Sequence, residues 1–95
     1  MKIEIKKENY NLLEKELTQA QKRARVRTID AEKLFDINDE AAKKGWDSYY
    51  YEVPMNFEND GYEHSTSFVV VKNGHLTDAG RTSDWRYRLG KFFQM

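Results

Sequence analysis

The chain contains no cysteine and one proline, Pro54, and its longest purely apolar run, Phe68 to Val71, is four residues. Lack of cysteine excludes a disulfide scaffold, a zinc knuckle and a thiol nucleophile, and it permits a reducing compartment. A membrane helix needs about 20 apolar residues. The opening Met1-Lys2-Ile3-Glu4 does not begin a signal peptide, so the expectation is a soluble, cytoplasmic protein without a membrane partner. An excess of one charge is missing too. Sixteen basic residues balance sixteen acidic ones, which argues against a polyanion binder working through bulk charge. No GxGxxG sequence, phosphate-loop lysine pattern or Gly-x-Ser-x-Gly elbow is present, and no internal repeat or linker stands out. Ninety-five residues make one domain, 1–95, with a core thin enough that association with further copies would help it.

Overall neutrality conceals segregation. Residues 1–29 hold eight Lys/Arg and four Asp/Glu, residues 30–60 three and nine, and residues 61–95 five and three, giving +4, −6 and +2. The middle either neutralises the ends within one fold or creates a face of opposite sign.

Hydrophobic periodicity divides the chain into elements. Ile3 and Ile5 alternate within Lys2 to Lys6, which suits a short edge strand. From Asn9, a possible cap, apolar positions Tyr10, Leu13, Leu17, Ala20 and Ala24 recur at helical spacing. Arg23 to Ile29 alternates strictly and reads as a strand with Arg23, Arg25 and Arg27 on one face. Asp30 is a good N-cap for a helix from Ala31 to Lys44 carrying Leu34, Ile37, Asn38 and Ala41 on one stripe, and Gly45 can stop it. Beyond it the sequence is β-like. Tyr49 to Val53 reads as a strand, with Pro54 at an edge or bulge. Asn73-Gly74 between Phe68–Lys72 and His75–Ala79 reads as a tight hairpin with a type I′ turn. Asp84 to Phe93 fits a strand better than a helix, with Trp85, Tyr87 and Leu89 on one face. The sum is an α+β fold: two helices packed on one face of a four- to five-stranded, mostly antiparallel sheet.

Two basic groups and one acidic group are candidate sites. Guanidiniums about 6.6–6.8 Å apart on one strand face repel unless anions lie among them, so Arg23, Arg25 and Arg27 suit phosphates. They would equally serve as partners for Asp30, Glu32 and other carboxylates. Arg81, Arg86, Arg88 and Lys91 interleave with Trp85, Tyr87, Phe92 and Phe93, a composition in which bases stack on rings, although the same rings could be core or subunit interface. An aromatic fraction of 14% exceeds what a thin core hides, so some rings are expected at an interface or ligand site. His64 and His75 stand in no metal motif, and neither metal nor cofactor is expected. Hydroxyls at Ser65, Thr66 and Ser67 lie near His64 but lack a hydrolase elbow, and a binding protein is expected rather than an enzyme.

Several segments in order carry a family likeness: the first strand and amphipathic helix; Arg25-Val26-Arg27-Thr28-Ile29-Asp30-Ala31-Glu32; Ser65-Thr66-Ser67-Phe68; Lys72-Asn73-Gly74; Leu76-Thr77; and Arg81. The arrangement resembles the Thoeris anti-defence sponge proteins, small phage-encoded proteins that counter bacterial immunity. The resemblance spans about two thirds of the chain in short segments. It implies a homo-oligomer, a hexamer in that family, that sequesters cyclic ADP-ribose-type signals without turnover in the host cytosol, some members holding cyclic oligonucleotides elsewhere. It further implies Phe68 as the base-stacking ring, Arg81 as a phosphate or ribose contact, and Arg25 and Arg27 as basic residues nearer the symmetry axis. The chain departs from the pattern in a short connection after the second helix and in lacking a long C-terminal helical extension. Size, lack of cysteine and charge segregation are also shared with the anti-CRISPR proteins. That likeness implies direct binding of an immune effector, or nucleic-acid mimicry through an acidic face, with Asp36, Asp39, Glu40, Asp47, Glu52, Glu58 and Asp60 as the residues that matter.

Overall fold

Helices with one apolar stripe and strands with one apolar side are satisfied together by laying the helices on a sheet. A computed structural model shows this arrangement; it describes residues 2–21, 28–54, 66–82 and 90–95. The elements in chain order are β1 (Ile3–Glu4), a 3-10 turn (Lys7–Asn9), α1 (Tyr10–Gln21), α2 (Ala31–Lys43), β2 (Tyr49–Glu52), β3 (Thr66–Lys72), β4 (His75–Thr82) and β5 (Lys91–Gln94). The five strands form one sheet of order β1-β4-β3-β2-β5, every neighbouring pair antiparallel. The α+β fold read from the sequence is the fold found. Among the described residues, no helix is long and apolar enough to cross a membrane.

Leu13 and Leu17 of α1 and Leu34, Ile37 and Ala41 of α2 meet Ile3, Tyr49, Val69, Val71 and Leu76 of the sheet in one buried cluster. Burying each large aliphatic side chain contributes about 1.5–3 kcal/mol. Asp30 caps α2 as expected: its Oδ1 accepts a hydrogen bond from the Lys33 N–H at 2.7 Å. At the other end the Gly45 N–H donates to the Ala42 carbonyl and the Trp46 N–H to the Ala41 carbonyl, the paired bonds of a Schellman stop. Asn73 and Gly74 both have positive φ, 52° and 75°, as a type I′ hairpin demands.

Three expectations change. β1 is only Ile3–Glu4, with the Ile5 N–H still donating to the Gly74 carbonyl, and the Asn9 side-chain amide, instead of capping α1, donates to the Glu4 carbonyl at 2.9 Å. The strand expected over Arg23–Ile29 is not seen in its described part. Thr28 and Ile29 belong to no strand, because Gln21 at the end of α1 supplies Ile29 with its partners. Gln21 Oε1 accepts from the Ile29 N–H at 2.7 Å, while Nε2 donates to the Ile29 carbonyl at 2.8 Å and to the Leu17 carbonyl at 2.9 Å. A buried side-chain amide thus takes the place of a neighbouring strand. Finally, Pro54 is exposed just beyond the end of β2, an interior strand, rather than at an edge or bulge. Residues Asp84 to Leu89 of the last expected strand lie outside the described residues; its end is β5.

Candidate functional site

Alternation along each strand assigns side chains to two faces, and residues directly paired across an antiparallel ladder share a face. Tyr49, Tyr51, Val69, Val71 and Phe92 lie on the helix side. Tyr50, Glu52, Phe68, Val70, Gly80, Lys91 and Phe93 lie on the other.

The rings divide accordingly. On the helix side Phe92 meets Trp46, Tyr49 and Tyr51 edge to face at 5.3, 5.7 and 5.4 Å, with the Lys44 ammonium 5.3 Å from the Trp46 ring centre. This seam fastens β5 to the sheet. Tyr49 is fully buried and its hydroxyl donates to Asn38 Oδ1 of α2 at 3.0 Å. Burial, reinforced by the charge of Asp39, raises its pKa.

Away from the helices, Tyr50 stacks on Phe68 at 5.8 Å with an interplanar angle of 15°, and lies 5.1 Å from Phe93 across the β2–β5 pair. Phe93 is 44% exposed, while Tyr50 and Phe68 are half-buried. Gly80 makes room for Phe68: a Cβ there would lie 3.1 Å from Cε1 of the ring. Glu52 adjoins the rings and is only 3% exposed. Its carboxylate accepts from the Tyr50 hydroxyl at 3.0 Å and from the Thr66 hydroxyl at 3.1 Å. Burial, then the hydrogen bond to Glu52 and that residue's charge, raises the Tyr50 pKa. These are flat, partly exposed rings beside a fixed acceptor, a surface suited to stacking a planar group.

Sequence expectation and geometry part at several residues. Arg23, Arg25, Arg27, Arg86 and Arg88 lie outside the described residues. Phe68 and Arg81 do not converge: Phe68 pairs with Gly80 and Arg81 with Ser67, so their side chains leave opposite faces. A bulge causes this. The two-residue turn pairs Lys72 with His75 and Val71 with Leu76, but Val70 pairs with Asp78, leaving Thr77 extra. The Thr77 hydroxyl donates to the Val70 carbonyl at 3.1 Å and holds the irregularity, and the one-residue slip turns Arg81 away from Phe68. Of the acidic face, Asp36, Asp39, Glu40 and Asp47 are exposed, whereas Glu52 is buried among its hydrogen-bond partners and is no part of that face. Tyr50 escaped sequence reasoning; strict alternation in Tyr49-Tyr50-Tyr51 was the available signal that it must oppose its neighbours.

A cleft of about 300 Å³ is lined by Glu14, Thr18, Gln21, Thr28, Ile29 and Asp30. A wider depression of about 610 Å³ is lined by Thr28, Asp30, Lys33, Tyr51, Val53 and Pro54. Both border the start of α2, where two first-turn donors meet carboxylates: Glu14 Oε2 accepts from the Ala31 N–H at 2.8 Å and Asp30 Oδ1 from the Lys33 N–H at 2.7 Å. Carboxylates of the chain itself thus occupy the position an anion would seek. Among the described residues no group of three or more His, Asp or Glu could hold a metal ion. Comparison with protein-family models, curated proteins and solved structures finds no match for this chain.

Proposed function

We propose that the chain is a non-catalytic binding protein that sequesters a phosphate-bearing nucleotide signal by stacking its base on the Tyr50, Phe68 and Phe93 surface. The supporting observation is the packing of these three rings on the sheet face opposite the helices, with Phe93 left 44% exposed. Base–aromatic stacking contributes about 1–3 kcal/mol per base. Lys91, opposite Glu52 in the β2–β5 register, is a cation on the same face as these rings, whereas Arg81 lies on the other face. The anti-defence role and the cyclic character of the nucleotide rest on the sequence resemblance. The test is a thermal-shift screen of cyclic dinucleotides, cyclic trinucleotides and cyclic ADP-ribose isomers. A ligand at a hundred times its dissociation constant stabilises by about 2.7 kcal/mol, a readily measured rise in Tm. Phe68→Ala should remove the rise while the fold persists. Silence across the panel, or a rise unchanged by Phe68→Ala, refutes the proposal.

A second reading has its own observation. Glu32, Asp36 and Glu40 recur at four-residue spacing along α2 with Asp39 beside them, all exposed, and none forms an ion pair among the described residues. Like charges at this spacing destabilise a helix, so the stripe suits docking on a basic surface of an immune effector. Loss of inhibition on Asp36→Lys with Asp39→Lys and Glu40→Lys, in a protein blind to nucleotides, would favour this reading over the first.

A further inference from the structure

The two edges of the sheet are built differently. β1 is two residues long, flanked by Lys2 and Lys6, and ends in the 3-10 turn, so little backbone is offered to another strand. Among the described residues β5 has no such protection. Its sequence Lys-Phe-Phe-Gln carries one charge and neither proline nor bulge, and Phe93 and the following Met95 are 44% and 55% exposed.

The register tells which backbone groups are unsatisfied. Gln94 pairs with Tyr49, and the Met95 N–H donates to the Ser48 carbonyl at 3.0 Å. Lys91, Phe93 and Met95 therefore direct their N–H and C=O groups at β2, and Phe92 and Gln94 direct theirs outward. We propose that this edge pairs with the same edge of a second copy of the chain, antiparallel about a two-fold axis at Phe93, so that the sheet continues across two subunits.

Self-pairing suits this segment in particular. With the axis at Phe93, Phe92 of each copy faces Gln94 of the other, and each such pair exchanges both backbone hydrogen bonds. The same patch is used twice, as a closed two-fold contact requires. Phe93 meets its own equivalent as a non-hydrogen-bonded pair with Cα atoms about 4.5 Å apart. That contact covers the exposed ring and extends the aromatic row from Tyr50, 5.1 Å away. Lys91 falls opposite Met95, so the ladder brings no like charges together. An axis at Phe92 would draw Gly90 into the ladder, but Gly90 has φ 81° and approaches Pro54 so closely that a Cβ would lie 2.9 Å from Cγ. The chain leaves the sheet there. A contact through one short strand falls below the roughly 1,200 Å² of a standard stable interface, so a weak, concentration-dependent dimer is expected. The proposal rests on the strand edge and not on the proposed function, but both draw on the exposed Phe93 ring, so a ligand stacked there should compete with pairing.

The chain has no cysteine, so a single introduced thiol reports the register without background. Under oxidising conditions at tens of micromolar protein, Phe93→Cys should form a covalent dimer far faster than Phe92→Cys or the exposed helix control Asn11→Cys, and prior unfolding in urea should abolish the difference. The Cα separation at Phe93 lies within disulfide reach. Equal rates for Phe93→Cys and Asn11→Cys overturn the proposal, and a faster Phe92→Cys overturns the register. In light scattering the unmodified chain should pass from monomer to dimer as concentration rises. Gln94→Pro removes only an outward donor and should stay monomeric while retaining its dilute Tm. A chain monomeric at millimolar concentration, or a dimer untouched by Gln94→Pro, also refutes it.

Discussion

The helix side of the sheet and its reverse use the same kinds of residue to different ends. On the helix side Phe92 is wedged among Trp46, Tyr49 and Tyr51, and the buried Tyr49 is tied to Asn38. On the reverse, Phe93 is 44% exposed, Phe68 and Tyr50 lie half-buried, and a carboxylate is enclosed beside them. Fully buried apolar area supports the fold on one side, while the other retains aromatic surface that a monomer leaves uncovered.

The largest effect that separates the two sides is expected at Gln21. Gln21→Ala would leave the Ile29 N–H and carbonyl unsatisfied in a buried setting and open a space behind α1. A loss of about 3 kcal/mol is expected, read as a lower urea midpoint at unchanged slope, whereas Phe93→Ala should cost less than about 1 kcal/mol. Similar losses from the two variants would erase the distinction between the sides.

Next in size is Tyr50→Phe, with an expected loss of about 1–2 kcal/mol because Glu52 keeps its burial and loses a donor. The same hydroxyl gives an alkaline signature. The pKa values of Tyr49 and Tyr50 are raised from 10.0, so the folded state binds their protons more tightly than the unfolded chain. That stabilisation is complete below the unfolded value and is lost as pH rises through the raised ones. Stability should therefore fall above about pH 10, and Tyr50→Phe should flatten the fall. An identical alkaline limb in the variant would show that this hydroxyl contributes nothing to it.

Much of this was legible in the chain. Apolar spacing of three and four placed Leu13, Leu17, Leu34, Ile37 and Ala41 in the core, and Asp30, Gly45 and Asn73-Gly74 marked ends and a turn through local backbone chemistry. What stayed hidden depends on partners distant in sequence. Gln21 reads as an ordinary polar helix residue until Ile29 folds back with an unpaired backbone. Glu52 reads as one more acid in an acidic middle until register places it between Tyr50 and Thr66. The faces of Phe68 and Arg81 hinge on one bulged residue, Thr77, which no alternation pattern reveals.

Gly80 offers a finer test of how the reverse side is packed. Gly80→Ala would place a methyl 3.1 Å from Phe68 Cε1, tighter than normal contact, so the ring must tilt and its stack on Tyr50 must loosen. A cost of about 1 kcal/mol is expected, vanishing in a Phe68→Ala background, where the added methyl meets no ring. Additive effects in that double-mutant cycle would mean that the ring does not lie over Gly80.

The smallest expected change has the opposite sign. Asp36 stands four residues from both Glu32 and Glu40 on the exposed side of α2, with Asp39 adjacent and no ion pair relieving it among the described residues. Each like-charge pair at that spacing costs about 0.2–0.5 kcal/mol. Asp36→Asn removes two of them at once and should stabilise the protein by a few tenths of a kcal/mol at low salt, the gain shrinking as salt screens exposed charges. A gain confined to low salt would mark the stripe as a cost the isolated fold bears, which is the property expected of a surface kept for a basic partner. A loss would mean that Asp36 does structural work within its own chain, and the acidic stripe would then need no partner to explain it.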